Sequence, residues 1–182
     1  MPLNIEIKAR CDDQDRIRRL LKERQARFVG DDHQIDTYFR VPEGRMKLRE
    51  GRIENALIYY ERTDQQGPKV SDVTLHRTES GASLKTILSK ALGVWGEVDK
   101  RREIYFIDNV KFHLDRVAGL GTFVEIEAID RDGSIGQARL QAQCEHYLAL
   151  LGVPAEALVP VSYSDMLLRQ EGNDSIRQER EQ

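Results

Sequence analysis

An α+β protein, with an eight-stranded antiparallel β-barrel and helices packed outside it, is the fold class the sequence predicts. Three observations carry that reading. Short strand-like runs follow one another with hairpin-type turns between them. Most of those runs alternate apolar and polar residues with period two. Three amphipathic helices need an apolar surface to cover, and a curled sheet supplies one.

The first strand is Asn4-Ile5-Glu6-Ile7-Lys8-Ala9-Arg10. A helix follows, capped by Asp12 or Asp13, with Ile17, Leu20, Leu21, Arg24 and Phe28 on one face. Strands are then expected at His33–Phe39, Arg45–Glu50, Ala56–Arg62 and Lys69–His76. The turns between them are Pro42-Glu43-Gly44, Gly51 to Asn55, and Asp64 to Pro68. A second helix over Ala82–Leu92 places Leu84, Ile87, Leu88 and Ala91 together and stops at Gly93. Three more strands follow at Val94–Phe106, Val110–Arg116 and Thr122–Ile129. A third helix over Ser134–Leu151 buries Leu140, Cys144, Tyr147, Leu148 and Leu151, and Gly152 and Pro154 end it. A helical turn near Ser164–Arg169 closes the domain. Residues 1–170 form the expected single domain, and the polar segment 171–182 is expected to fray.

Composition narrows the function classes. Of 182 residues, 40% are hydrophobic and 32% charged, so the chain is not of the disordered class. A chain of this size buries roughly 70% of its unfolded surface and builds a core without disulfides. The formal net charge of −3 gives no bulk reason for nucleic-acid or membrane binding. Two distant cysteines, Cys11 and Cys144, make no CxxC pair and suit a reducing cytoplasm. Met1 to Arg10 carries Glu6, Lys8 and Arg10 and offers no apolar stretch for a signal peptide. No apolar run approaches the ~18 residues of a membrane span.

The strand faces carry the chemistry. Asn4, Glu6, Lys8 and Arg10 share a face, as do Arg45, Lys47 and Arg49. Lys100 and Arg102 pair in the same way, then Lys111, His113 and Asp115, then Phe123, Glu125 and Glu127. These are either solvent faces of ordinary antiparallel strands or the lining of a barrel with a polar lumen and an apolar outside. In the second case, Arg49, Arg102, Lys8 and Lys100 suit a phosphate chain. Glu6, Glu125 and Glu127 then suit a hard divalent cation, Mg²⁺ or Mn²⁺. Enclosed cations would repel one another unless an anion sits among them.

At these residues the sequence resembles the CYTH superfamily of triphosphate tunnel enzymes, and most of all the bacterial class IV adenylate cyclases. The opening ExExK motif is matched by Asn4-Ile5-Glu6-Ile7-Lys8, and the L-R-E hairpin motif by Lys47-Leu48-Arg49-Glu50. The K-x-R strand reads Lys100-Arg101-Arg102. Leu114 to Glu125 (LDRVAGLGTFVE) is similar to V-D-x-x-x-G-L-G-x-F-x-E, and Ser162 to Leu167 to S-Y-x-x-L-L.

The resemblance implies an eight-stranded tunnel with a polar, charged lumen and a metal-dependent reaction on a triphosphate. It implies catalytic roles for Lys8, Lys100, Arg102 and Asp115. Substrate contacts are expected from Arg10, Arg45, Lys47, Arg49, Arg62, Lys111 and His113, and Mg²⁺ or Mn²⁺ on Glu6, Glu125 and Glu127, with Asn4 as a further ligand. Two departures stand out. Asn4 replaces the first Glu of ExExK, and on the fourth strand the usual lumenal Lys is met by either Glu61 or Arg62, of which Arg62 keeps the charge.

A small-molecule triphosphate, ATP or polyphosphate, is the expected partner, in the cytoplasm, with a homodimer left open. The cyclase reaction, ATP to cyclic AMP and pyrophosphate, leads. The alternatives are a triphosphatase acting on tripolyphosphate, thiamine triphosphate or a nucleotide, and a non-catalytic polyphosphate binder. No catalytic triad order, P-loop or dinucleotide loop is present. His33, His76 and His146 lack ligand spacing and read as surface residues, and Cys144 as a core thiol.

Overall fold

The computed structural model describes residues 3–62, 68–79 and 82–170, apart from the side chains at 62 and 69. The segment expected to fray, 171–182, and most of the turn expected over Asp64 to Pro68 lie outside the described residues. Eight strands are found: β1 (Leu3–Arg10), β2 (Arg27–Phe39), β3 (Arg45–Glu50), β4 (Ala56–Arg62), β5 (Lys69–Arg77), β6 (Val94–Ile107), β7 (Val110–Val117) and β8 (Gly121–Asp130). Helices α1 (Gln14–Glu23), α2 (Ala82–Leu92) and α3 (Gln137–Leu150) accompany them.

The strands close into an antiparallel ring in the order β1-β5-β4-β3-β2-β6-β7-β8, with β8 returning to β1. Hairpin succession holds within β2–β5 and within β6–β8. It does not hold throughout, because β1 inserts between β5 and β8, and β2 pairs along its length with β6. The ring is thus two meanders closed by one strand and one long seam.

The alternation of charge and apolar residues resolves in favour of the inverted barrel. Ile5, Ile7 and Ala9 of β1, Phe112 and Leu114 of β7, and Val124 and Ile126 of β8 point outward. There they meet Ile17 and Leu21 of α1, Leu140 and Cys144 of α3, and Leu151, all buried. The main core therefore lies between the sheet and the helices, and the lumen is left for polar groups.

Four elements differ from expectation: α1, β2, which begins at Arg27 rather than His33, α3 and α2. Helix α1 begins at the Asp13 cap, whose carboxylate accepts the Arg16 N–H at 2.9 Å. It ends before Phe28, because Gln25 turns to φ 56° and Gln25 and Ala26 donate back to Lys22 and Leu21, a Schellman ending without glycine. Phe28 joins β2, half-exposed, against Tyr105 at 4.9 Å. Helix α3 starts at Gln137 rather than Ser134, because Asp130 accepts the N–H groups of Gly133, Ile135 and Gly136 and holds the approach as a loop. Helix α2 has the expected limits but buries no residue, and Ile87 is 62% exposed. Its apolar face is not a core face.

One end of the ring is crossed by the chain after α3. Leu158 bridges Ala9, and Val159 donates to the Lys8 carbonyl at 2.9 Å. Ser162 then caps the helical segment 163–170 in a capping box. Its hydroxyl accepts from the Asp165 N–H, and the Asp165 carboxylate accepts the Ser162 N–H, both at 3.2 Å. Tyr163 packs on Phe123, and a second apolar cluster of Val98, Val117, Leu120, Val159 and Val161 fills this end.

The packing assigns unequal weight to the helices. Leu21→Ala should cost about 2–5 kcal/mol, as for other filled core sites, whereas Ile87→Ala should stay within about 0.5 kcal/mol. Denaturant melts of the two variants check this. A large loss for Ile87→Ala would mean that α2 packs on the ring after all.

Candidate functional site

Period-two alternation on every strand sends one set of side chains inward, around a cavity of about 590 Å³. Asn4, Glu6 and Lys8 come from β1, Tyr38 from β2, and Lys47 and Arg49 from β3. Lys100 and Arg102 come from β6, Lys111 and His113 from β7, and Glu125 and Glu127 from β8. Toward the closed end stand Tyr38, Lys100, Ser162 and Tyr163. The opposite mouth has an apolar collar of Val29, Ile53, Leu75, Ile104 and Phe106, with Arg77 and Arg131 beside it.

The cations do not wait unpaired. Asp36, inward on β2 and 1% exposed, accepts Arg49 Nε and Nη2 at 2.8 Å each, Lys100 Nζ at 2.8 Å and Lys47 Nζ at 2.9 Å. Burial alone would raise its carboxyl. The pull of Arg49, Lys100 and Lys47 outweighs burial and holds it well below the usual carboxylate range. Burial, then Arg49, pushes the Lys100 ammonium well down, against the pull of Asp36. Cross-strand register makes this hub: Asp36 lies opposite Arg49, and Gln34 opposite Lys100.

A second network joins β6, β7, β8 and β1. Arg102 donates Nε and Nη2 to the two oxygens of Asp115 at 2.6 and 2.5 Å, and Nη2 also to Glu125 at 2.7 Å. The Tyr163 hydroxyl donates to Asp115 at 2.7 Å. Glu125 takes Lys8 Nζ on Oε1 at 3.0 Å, and Arg102 and His113 Nδ1 on Oε2. Lys8 Nζ also stands 3.8 Å from the centre of the Tyr163 ring.

Nearer the mouth, the turn between β3 and β4 brings in Glu54. It accepts Arg49 Nη1 at 2.9 Å, Gln34 Nε2 at 3.0 Å and Lys111 Nζ. Across the β1–β8 pair Glu6 stands directly opposite Glu127, a like-charge pairing that costs stability. Asn4 Nδ2 donates to Glu127 Oε1 at 2.8 Å, while the buried Asn4 Oδ1 has no hydrogen-bond partner among the described residues. Burial first, then Glu6 and the other carboxylates, push the Glu127 carboxyl up against the pull of Lys111. His113 is 3% exposed, and its Nε2 also has no partner among the described residues. Burial, then Arg102 and Lys111, lower its imidazole to about 3, so it is neutral near pH 7. With Nδ1–H directed to Glu125, Nε2 is left as an acceptor.

The sequence-expected residues fall into four groups. Lys8, Lys47, Arg49, Lys100, Arg102, Lys111, His113, Asn4, Glu6, Glu125 and Glu127 line one cavity. Asp115 is fully buried behind Arg102 and holds it. Arg10 and Arg45 stand apart from the cavity: Arg10 donates to the Leu120 carbonyl at 3.1 Å, and Arg45 to Ser162 and Asp165 at 2.6 Å each. On β4, Glu61 faces outward and accepts the Tyr59 hydroxyl at 2.8 Å, away from the cavity that Ile58 and Tyr60 line. The Arg62 side chain is outside the described set. Sequence reasoning missed Asp36 and Glu54, and saw the plug Tyr163 only as part of the S-Y-x-x-L-L match, with no role in the site. For Asp36 the signal was present, since Gln34, Asp36 and Tyr38 alternate with Ile35 and Thr37. For Glu54, on a turn, there was none.

Among the described residues no three His, Cys, Asp or Glu side chains form a ready metal cluster. Glu125 has both oxygens engaged by cations and His113, which suits it poorly as a ligand. Glu6, Glu127 and the partnerless Asn4 Oδ1 make a small set of hard oxygen donors beside the phosphate-type cations. That fits an ion of the Mg²⁺ type, which takes one or two carboxylates and completes its shell with water and substrate phosphate.

Comparison with known proteins agrees with this geometry. The CYTH domain matches residues 2–162. "Putative adenylate cyclase MJ0240" of Methanocaldococcus jannaschii is 26% identical over 179 residues, 90% of this chain and 98% of that protein. The solved PH1012 protein of Pyrococcus horikoshii OT3 is 25% identical with a TM-score of 0.77, over 89% of this chain and 98% of that one. A Hippeastrum protein described as a "putative adenylyl cyclase" with a dominant triphosphatase activity shares the fold at 13% identity and a TM-score of 0.63. That match covers 94% of this chain and 96% of that one.

Two measurements test the charge network. Asp36→Ala removes the carboxylate shared by three buried or half-buried cations, of which, among the described residues, only Arg49 keeps another in Glu54, and should cost about 3–5 kcal/mol by denaturant unfolding. A loss below 1 kcal/mol would mean that the hub does not hold the lumen. The His113 effect follows from its lowered pKa. Between pH 6.5 and about 3 the unfolded imidazole binds a proton that the buried one refuses, so stability falls as pH falls through that window. Melting temperatures from pH 7 to 4.5 should therefore drop more steeply in the wild type than in His113→Gln. Parallel curves would contradict the buried neutral imidazole.

Proposed function

Because this chain belongs to the CYTH domain family, we propose that its lumen binds a nucleoside triphosphate with divalent metal and cyclises it as a class IV-type adenylate cyclase does, from ATP to cyclic AMP and pyrophosphate. The observation that carries this reading is the gradient along the cavity. Lys100, Lys8, Arg102 and Arg49 lie toward the closed end, the oxygen donors Glu6, Glu127 and Asn4 lie nearer the mouth, and the apolar collar is outermost. A triphosphate chain matches the inner cations, and a purine face matches Ile53, Ile104 and Phe106. The terminal phosphorus is then enclosed near Tyr163, away from bulk water. The α-phosphorus sits level with the sugar, where an intramolecular hydroxyl is the near nucleophile.

The chain's own groups bind and orient. Arg102 and Lys8 are fixed by Asp115, Glu125 and Tyr163, so they meet phosphate oxygens without reorganising. Neutral His113 offers Nε2 as an acceptor to a ribose hydroxyl. With its basicity near 3 it orients that hydroxyl and does not retain the proton. A divalent ion bound by Glu6 and Glu127 would offset charge on the phosphates. In the net reaction the 3′ oxygen loses its proton to the departing pyrophosphate or to water and bonds to the α-phosphorus, the bond to the bridging oxygen breaks, and pyrophosphate leaves. Triphosphatase activity is the second reading, favoured by the Hippeastrum neighbour's description.

The test is product identification with Mg²⁺ or Mn²⁺, first on ATP and then on inorganic tripolyphosphate. Cyclic AMP and pyrophosphate support the cyclase. Orthophosphate from either substrate assigns a triphosphatase, and binding without turnover assigns a binding module. The metal assignment has its own check. Asn4→Glu places a third carboxylate beside Glu6 and Glu127 and should lower the Mn²⁺ midpoint by about tenfold, the scale of one added charge contact in a site. An unchanged or higher midpoint would remove Asn4 from the metal set.

A further inference from the structure

Glu54 differs from the other carboxylates that pair the lumen's cations. Asp36, Asp115 and Glu125 stand on strands, and their side chains are 1%, 0% and 13% exposed. Glu54 stands on a turn, and its side chain is 24% exposed. Its two oxygens bridge cations from opposite walls: Oε2 takes Arg49 of β3 at 2.9 Å, and Oε1 takes Lys111 of β7.

The turn that carries it is built for the purpose. Buried Asp32 accepts the backbone N–H groups of Arg52, Ile53 and Glu54 at 2.6, 3.0 and 3.0 Å. Gly51 lets the turn approach this closely, since a Cβ there would stand 2.6 Å from Asp32 Oδ2 and 2.9 Å from the Glu54 carbonyl. The backbone is therefore anchored and the carboxylate alone is placed by rotamer choice. If the carboxylate turns away, Arg49 keeps Asp36. Lys111 keeps no other carboxylate within ion-pair distance among the described residues.

We propose that Glu54 is an internal counter-anion, holding Arg49 and Lys111 in the empty lumen and giving up its place between them to a phosphate group of the substrate. This rests on the triphosphate reading above and adds to it a residue that sets affinity. Each phosphate chain must displace a carboxylate that the protein itself supplies, and the same carboxylate can return to the two cations as product leaves. Loss of its charge should therefore move stability and binding in opposite directions, which a merely structural side chain would not do.

The experiment is metal-free titration calorimetry with inorganic tripolyphosphate on the wild type, Glu54→Gln and Glu54→Asp, with a melting curve of each empty protein. Glu54→Gln should melt lower when empty and bind about tenfold tighter, because a like charge facing the ligand is gone. Glu54→Asp keeps the charge but withdraws it by one methylene, and should also bind more tightly than wild type. Should Glu54→Gln fail to fold, the Glu54→Asp titration decides alone. Affinity equal to or weaker than wild type in the folded variants overturns the counter-anion while leaving the triphosphate reading intact. Absence of tripolyphosphate binding in the wild type and both variants, at low salt and at about 0.15 M, overturns both.

Discussion

The fold depends on the pairing of buried charge. A ring of strands with cations on its inner face can close only if each cation has a carboxylate within reach, because a buried unpaired charge costs several kcal/mol. Asp36 meets that condition for Arg49, Lys100 and Lys47. Asp115 and Glu125 meet it for Arg102 and Lys8. The empty lumen is thus not a cluster of repelling cations awaiting an anion, as their spacing in the sequence suggested. It is a nearly neutral lattice that a polyanion can enter by exchange.

Inverting the barrel has consequences for packing. With charge inside, the apolar strand faces turn outward and the main core forms under α1 and α3. Helix α2 takes no part in it, and is tied to the ring instead by its own Lys85, whose Nζ reaches Glu50 and Glu97 at 3.4 and 2.8 Å. The end closed by Tyr163 needs no separate plug domain. A capping box at Ser162 and Asp165 turns the chain so that one tyrosine reaches Asp115 and packs tilted against Phe123.

Much of this was legible in the residues. Period two on β1, β3, β6, β7 and β8 placed most of the cavity lining, and turn chemistry bounded nearly every strand. Alternation alone left the direction of the faces open, because a solvent face and a polar lumen share one pattern. What the sequence did not reveal depends on contacts between distant positions. Asp36 gains its role only from cross-strand neighbours, and Glu54 only from a turn that Asp32 shapes. The end of α1 at Gln25, a left-handed residue without glycine, gave no sign of itself. Arg10 and Arg45 shared strand faces with cavity residues, but they stand at strand ends on the closed side of the ring, where Leu120, Ser162 and Asp165 take them.

The central claim is an oriented substrate: phosphates toward the closed end, base at the apolar mouth. A crystal structure with 3′-deoxy-ATP and Ca²⁺, which together prevent cyclisation, tests it most directly. The account predicts the terminal phosphate against Lys100, Lys8 and Arg102, and the base against Ile53 and Phe106. A base seated at Tyr163, with the terminal phosphate at the mouth, would contradict it.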